Sequence, residues 1–225
     1  MLAGMTPNVS LAHWRGELRR SLLAQRVGQP AELRQFRGRA ISRRLLDCFT
    51  PASGSVVGIY WPIRGEFDPR FVAMSWRRAG VPSALPVVTE RNAAMEFHAW
   101  WPGAVTVPGV FNLPCPQGTA RVIPDLVLMP PVGWDGGGYR LGYGAGYYDR
   151  TLASMQPAPL KIGVGFELSR IASIDPQAHD IAMDFMVTEA AVYRVAHGGL
   201  RAMGSAADVR RELRAIGAPV AIKPA

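Results

Sequence analysis

Cysteine is nearly absent: Cys48 and Cys115 are the only two in 225 residues. That excludes a disulfide framework, and neither lies in a CxxC or zinc-ligand spacing. Lysine is as scarce, with only Lys161 and Lys223, so nearly all of the positive charge is guanidinium. No stretch approaches the about 18 consecutive apolar residues that a membrane-crossing helix needs. The opening MLAGMTPNVSLAHWRGELRRS lacks an apolar core of signal-peptide length. These absences read as a soluble chain in the reducing cytoplasm, with no membrane partner. Two phosphate-binding signatures are missing as well. There is no GxxxxGK[ST] loop, and the glycines at 142, 144 and 146 run GxGxG rather than GxGxxG.

What is present suits one domain of ordinary size. The residues are 48% hydrophobic and 19% charged, which excludes a disordered chain. A chain this long buries a core without disulfides or metals. The net charge is +8 and the sequence pI about 10.2. Arginine forks onto carboxylates and phosphates, so the balance points to an anionic partner: a nucleotide, another polyanionic small molecule or a nucleic acid.

Helical spacing comes first. Leu11, Trp14, Leu18 and Leu22 form one stripe and Arg15, Arg19 and Arg26 another. Pro30 and Glu32 open a second helix with Phe36, Ile41, Leu45 and Cys48 on its apolar side, stopped by the Pro51–Gly54 breaker. The period then changes. Residues 55–61, 81–88, 95–101, 125–129 and 161–166 read as strands, and 182–188 and 191–195 as weaker ones. Helices are expected from Asp68 to Ala79 and from Tyr147 to Met155, with 102–124 irregular. Buried runs alternating with amphipathic helices predict a three-layer α/β/α domain around a mainly parallel twisted sheet. The expected organisation is a loose arm at 1–9, the domain at 10–197, and a solvated basic tail at 198–225 with a short helix at 206–216.

The densest chemical signal is the run from Trp134 to Arg150, with six glycines between 136 and 146. Glycine permits close backbone approach, and successive exposed N–H groups before a helix start form an anion nest. The run follows a buried strand, where open α/β sheets place ligands. Arg140 adds a fixed charge. Asp149 reads either as a first-turn carboxylate favoured by the helix dipole or as a Mg²⁺ partner beside a phosphate.

YRLGYGAGYYDR at residues 139–150 closely resembles the signature of 5-formyltetrahydrofolate cyclo-ligases, the methenyltetrahydrofolate synthetases. Four flanking segments resemble the family in order: Arg15-Gly-Glu-Leu-Arg19, Ile59 to Glu66, Pro124 to Pro130, and His179-Asp180 with Asp184 and Val187-Thr-Glu189. The resemblance implies the ribose-5-phosphate isomerase and CoA-transferase type of fold. It implies the MgATP-dependent closure of 5-formyltetrahydrofolate to 5,10-methenyltetrahydrofolate, with ADP and phosphate released. It implies ATP contacts at Arg15, Arg19, Arg140, Leu141, Gly142, Tyr143, Gly144, Ala145, Gly146, Tyr147 and Tyr148, with Arg140 and Tyr148 catalytic. Folate contacts fall at Trp61, Glu66, Tyr143, Gly144, Ala145, Gly146 and Tyr147, and Mg²⁺ ligands at Asp149 and Asp184. The implied partners are ATP and a reduced formyl folate, polyglutamylated or not, acting on a monomer or weak dimer. Two departures stand out: Arg15 replaces the family's lysine, and Cys115 in Leu-Pro-Cys-Pro stands where a glutamate is expected. They leave open a relative that binds nucleotide or folate without closing the ring. A nucleic-acid-binding protein ranks last, since no recognised motif for it is present.

Overall fold

The computed structural model describes residues 10–196 and 198–218. The expected arm at 1–9 lies outside the described residues. The chain opens with two helices, α1 (Leu11–Val27) and α2 (Ala31–Cys48). Strand β1 (Val57–Gly58), helix α3 (Arg70–Arg78), β2 (Ser83–Val87) and β3 (Glu96–Trp100) follow. The middle holds β4 (Thr106–Pro108), β5 (Pro114–Pro116), β6 (Arg121–Val122), β7 (Leu126–Met129), β8 (Gly133–Trp134) and β9 (Arg140–Leu141). Helix α4 (Tyr147–Ser154), β10 (Leu160–Val164), β11 (Phe185–Val187), β12 (Val192–Ala196), β13 (Gly199–Ala202) and α5 (Ala206–Ala215) complete it.

Nine strands form one sheet in the order β13-β12-β11-β10-β7-β1-β2-β3-β6. The pairs from β11 through β10, β7 and β1 to β2 are parallel, and those outside them are antiparallel. Parallel strands are buried on both sides, so their sequences are near-continuous apolar runs. Leu126, Val127, Leu128 and Met129 of β7 are all 0% exposed. One sheet face packs against α2, α3 and α5 through Ile41, Leu45, Val72, Trp76, Val209 and Leu213. The other is covered by Leu152 and Met155 near α4, with Trp134 of the β8–β9 hairpin. Phe49 packs edge-on against Phe185, ring centroids 5.4 Å apart. Among the described residues no helix is long and apolar enough to cross a membrane.

The expected α/β architecture is present, with four local differences. Phe36 and Trp14, expected on apolar faces, are 65% and 38% exposed. The strand expected at 55–61 pairs only at Val57 and Gly58, leaving Tyr60 and Trp61 beyond the sheet end. The stretch expected to be irregular contains the β4–β5 hairpin and β6.

The largest difference is at the tail. Val209 and Leu213 are 0% exposed within the main core, and β13 is the edge strand beside β12. Three of its arginines are engaged: Arg201 pairs with Glu212, Arg210 donates to the Asp47 carbonyl at 2.8 Å, and Arg211 meets Asp208 at 2.8 Å. A short amphipathic helix is stable mainly through its apolar face, and this one finds α2. The expected solvated appendage is therefore corrected over residues 199–215; 219–225 lie outside the described residues.

Candidate functional site

The chain passes from β1 through α3 to β2 on one side, then returns to β7 on the other side of β1. Such a reversal opens a crevice at the carboxyl ends of the strands, the usual ligand position in open α/β sheets. A cleft of about 600 Å³ lies there. Tyr60 and Trp61 after β1, Val87 and Val88 at the end of β2, and Pro130 after β7 line it, with the glycine loop closing one wall.

The six glycines of the sequence divide into two groups with separate roles. Gly136 to Gly138 form the tip of the β8–β9 hairpin. Asp135, 2% exposed, holds that turn: Oδ1 accepts from the Gly137 and Tyr139 N–H groups at 2.9 and 3.0 Å, and Oδ2 from Ile174 N–H at 2.9 Å. Gly138 has φ +81°, and a Cβ there would lie 2.5 Å from the Val195 methyls, so both backbone and space require glycine. Gly142 to Gly146 instead border the cleft and lead into α4. The glycine run, expected to be one ligand loop, is structural in its first half.

Helix α1 packs on this hairpin through Leu22 against Val132, Leu141 and Ile174. That docking turns its arginine stripe along the loop. Arg19 Nε donates to the Gly142 carbonyl at 2.8 Å. Burial and the neighbouring Arg15 charge pull the Arg19 guanidinium below its ordinary value. Arg15 Nε donates to the Ile174 carbonyl at 3.0 Å, while Nη2 reaches Asp180 Oδ2 at 2.7 Å and the Asp175 carbonyl at 2.9 Å. Burial would raise the Asp180 carboxyl; the Arg15 bond and the Gln177 N–H hold it below its usual range. Arg15 is thus tied to the 174–180 segment beside the loop.

Arg140, on β9, is 6% exposed. Nη1 donates to the Ile181 carbonyl at 2.8 Å and Nη2 to Asp149 Oδ1 at 2.9 Å. The same Oδ1 accepts from Ile181 N–H at 3.0 Å. Asp149 lies in the first turn of α4, where the helix dipole favours a carboxylate. The guanidinium is 5.7 Å from the Tyr148 ring centroid, and burial pushes the Tyr148 phenol up, keeping it protonated.

The opposite wall carries Trp61 and Glu66. Arg70 lies 4.4 Å from the Trp61 ring centroid, and Trp100 meets it edge-on. The Glu66 side chain is 2% exposed. Oε1 accepts from the Tyr143 hydroxyl at 2.7 Å, and Oε2 from Ile63 N–H at 2.9 Å. Burial raises the Glu66 carboxyl despite these bonds.

The structure thus gathers Trp61, Glu66, Arg140, Gly142, Tyr143 and Ala145 to Asp149 around one cleft, with Arg19 behind the loop on the Gly142 carbonyl. It does not bring Asp184 there. Asp184 precedes β11, and its Oδ2 takes the Lys161 ammonium at 2.9 Å and the Lys161 N–H at 2.8 Å. Asp149 and Asp184 each face a different cation, and among the described residues no cluster of three or more His, Cys, Asp or Glu forms a metal cage. Of the two carboxylates expected at a metal, Asp149 lines the cleft and Asp184 does not, because strand pairing sets Asp184 beside Lys161. Two cleft features carried no sequence expectation: Arg26, buried beneath Tyr143, and Phe111 at the rim, edge-on to Tyr147. Arg26 sits on the same α1 stripe as Arg15 and Arg19, which was the available signal.

Fold and site together define an α/β protein with a cleft at the carboxyl ends of a parallel sheet, bordered by a glycine loop that opens a helix. The sequence model of the 5-formyltetrahydrofolate cyclo-ligase family matches residues 12–189, and the chain belongs to that family. It is 29% identical over 182 residues to the 5-formyltetrahydrofolate cyclo-ligase of Mycolicibacterium smegmatis, covering 77% of this chain and 93% of that one. With the Escherichia coli K12 5-formyltetrahydrofolate cyclo-ligase it shares 26% over 169 residues, covering 72% and 93%. The NMR structure of Aquifex aeolicus 5,10-methenyltetrahydrofolate synthetase superposes with a TM-score of 0.68 at 28% identity, covering 80% of this chain and 92% of that one.

Proposed function

We propose that this protein converts 5-formyltetrahydrofolate to 5,10-methenyltetrahydrofolate, consuming MgATP and releasing ADP and phosphate. One observation carries the reading: in a chain of the cyclo-ligase family, the loop from Arg140 to Asp149 and the Trp61–Glu66 wall line the same cleft. The loop suits a polyphosphate, through its backbone N–H groups and the start of α4. The wall suits a flat heterocycle with N–H donors, through an aromatic ring and a carboxylate.

In the first step the γ-phosphoryl group leaves the ADP oxygen and bonds to the formyl oxygen. N10 then attacks the formyl carbon. A C–N bond forms, the C–O bond to phosphate breaks, and N10 loses its proton. The chain's task is to align the reactants and offset charge. In this reading Arg19 and the stretch from Leu141 to Tyr148 hold the triphosphate. Arg140 supplies a fixed charge beneath the loop, and Tyr143 to Tyr147 border both substrates. Arg15 acts one step removed, fixing the segment beside Arg19. Mg²⁺, when bound, neutralises phosphate charge. Asp149 suits it, because Oδ1 alone takes the Arg140 and Ile181 bonds and Mg²⁺ commonly takes one carboxylate plus phosphate oxygens.

The test is to add MgATP and 5-formyltetrahydrofolate to the purified protein and follow methenyl absorbance. Product requiring both is expected. Folded protein without turnover, beside an active control enzyme, defeats the proposal. The loop gives a second expectation. Gly144 has φ +100°, and a Cβ there would lie 3.3 Å from Arg19 Cζ. Gly144→Val should raise the ATP KM about tenfold, from a backbone strain of about 1–3 kcal/mol. Initial rates against ATP check it; an unchanged KM would show that the nucleotide does not read this backbone.

A further inference from the structure

Arg26 has no part in the resemblance, yet the structure sets it between the two halves of the cleft. Its side chain is 3% exposed. Nε donates to the Arg64 carbonyl at 3.1 Å, Nη1 to the Pro131 carbonyl at 3.0 Å, and Nη2 to the Tyr143 hydroxyl at 2.7 Å. Glu66 Oε1 lies 3.6 Å from Nη2. The partners come from three segments: the loop after β1, the end of β7 and the glycine loop. A buried guanidinium persists only where fixed acceptors replace its water, and here they do. The Tyr143 contact carries chemical direction. Because the Tyr143 hydroxyl accepts from Arg26, its own proton is sent to Glu66 Oε1 at 2.7 Å. Hydrogen bonds in such a chain polarise one another in one sense.

We propose that Arg26 is a positioning residue for the substrate-side carboxylate: through the Tyr143 hydroxyl it fixes the proton that Tyr143 gives to Glu66 and holds Glu66 in place, so that Glu66 presents acceptor lone pairs to the N–H donors of the bound heterocycle. The proposal rests on the reading of Glu66 as a substrate contact. The groups facing Glu66 support it. Burial pushes the carboxyl up, and the Ile63 N–H, the Tyr143 hydroxyl, Arg26 and Arg64 pull it down. Tyr60 and Tyr148 also face it, as phenols that burial keeps neutral. Removing the Arg26 charge raises Glu66 further. The pH below which the carboxylate is lost then moves upward.

The experiment compares full-length wild type with Arg26→Met, Arg26→Lys, Tyr143→Phe and Glu66→Gln in the methenyl-forming assay, from acidic to neutral pH. Arg26→Met should raise the folate KM about tenfold, with a smaller change in ATP KM. It should move the acidic limb of kcat/KM up by about one pH unit, the scale of losing one nearby opposite charge. Arg26→Lys keeps the charge and should restore the limb. Glu66→Gln should raise the folate KM and abolish the limb. A purely structural Arg26 predicts instead that Arg26→Met lowers Tm and leaves limb and folate KM at wild type, which overturns the proposal. If Arg26→Met does not fold, Tyr143→Phe decides, since loss of its hydroxyl should also raise the limb. An unmoved limb there, beside a Glu66→Gln variant that has lost it, overturns the Arg26 role alone. A Glu66→Gln variant with wild-type folate KM and limb removes the reading of Glu66 itself.

Discussion

Arg140→Ala is expected to lower kcat/KM by about 10²–10³, the usual scale for removing one preorganised charge-stabilising donor. Stability should fall with it. The Arg140 side chain is 3% exposed and its partner Asp149 22%. Breaking a buried pair by removing one member costs about 3–5 kcal/mol. Asp149 retains the Ile181 N–H, the start of α4 and some water, which places the loss at the low end. For a chain of this size each kcal/mol shifts Tm by about 2–4 °C. Arg140→Lys should recover part of the stability and little of the rate. A lysine keeps the charge, yet one ammonium on a flexible stem does not span both the Ile181 carbonyl and Asp149 as the planar fork does. Steady-state kinetics with thermal unfolding separate the two effects. Wild-type kcat/KM in a folded Arg140→Ala protein would retire the residue from the reaction.

The part of the site that was legible in the sequence is the part that is local. Arg140, Gly142 to Gly146 and Asp149 fall within ten residues, and one strand-loop-helix unit delivers them together. Trp61 and Glu66 were reachable only through the resemblance, because nothing in their own neighbourhood distinguishes a cleft wall from a core. Arg26 illustrates what stayed hidden. Its key partner, Tyr143, is 117 positions away, and its meaning depends on α1 docking against the β8–β9 hairpin. Asp184 is the opposite case. It sits in a family-like motif, but the pairing of β10 with β11 sets it beside Lys161.

The fold was legible where apolar runs are long, as in β7 and β10, and where helices carry clear start signals, as at Pro30 and Asp68. It was illegible where strands are short. β13 has only four residues, two of them half-buried and two exposed, so no alternation marks it. The glycines at 136–138 likewise read as ligand chemistry because their real task, turning a hairpin under the Asp135 carboxylate, needs Ile174 and Val195 to be seen.

Removal of the segment after Ala196 should be the most damaging change to the fold. Counted as a solvated tail, its loss would be silent. In the structure it takes away Val209 and Leu213, each 0% exposed. Full burial of such a side chain is worth about 1.5–3 kcal/mol, against a typical total of about 5–15 kcal/mol for a domain. The deletion also uncovers Ile41 and Leu45 of α2 and strips β12 of its outer partner, β13, leaving it paired with β11 alone. An uncovered edge strand pairs readily with other chains, so the truncated protein should be aggregation-prone as well as destabilised. Leu213→Asp in the full chain separates the causes. It keeps β13 on the sheet and forces a charge into the core, so it should lower Tm strongly without exposing the edge. Thermal unfolding and light scattering on both proteins decide the matter: a truncated chain that stays monodisperse, with wild-type Tm, would show that α5 and β13 contribute nothing to the core they cover.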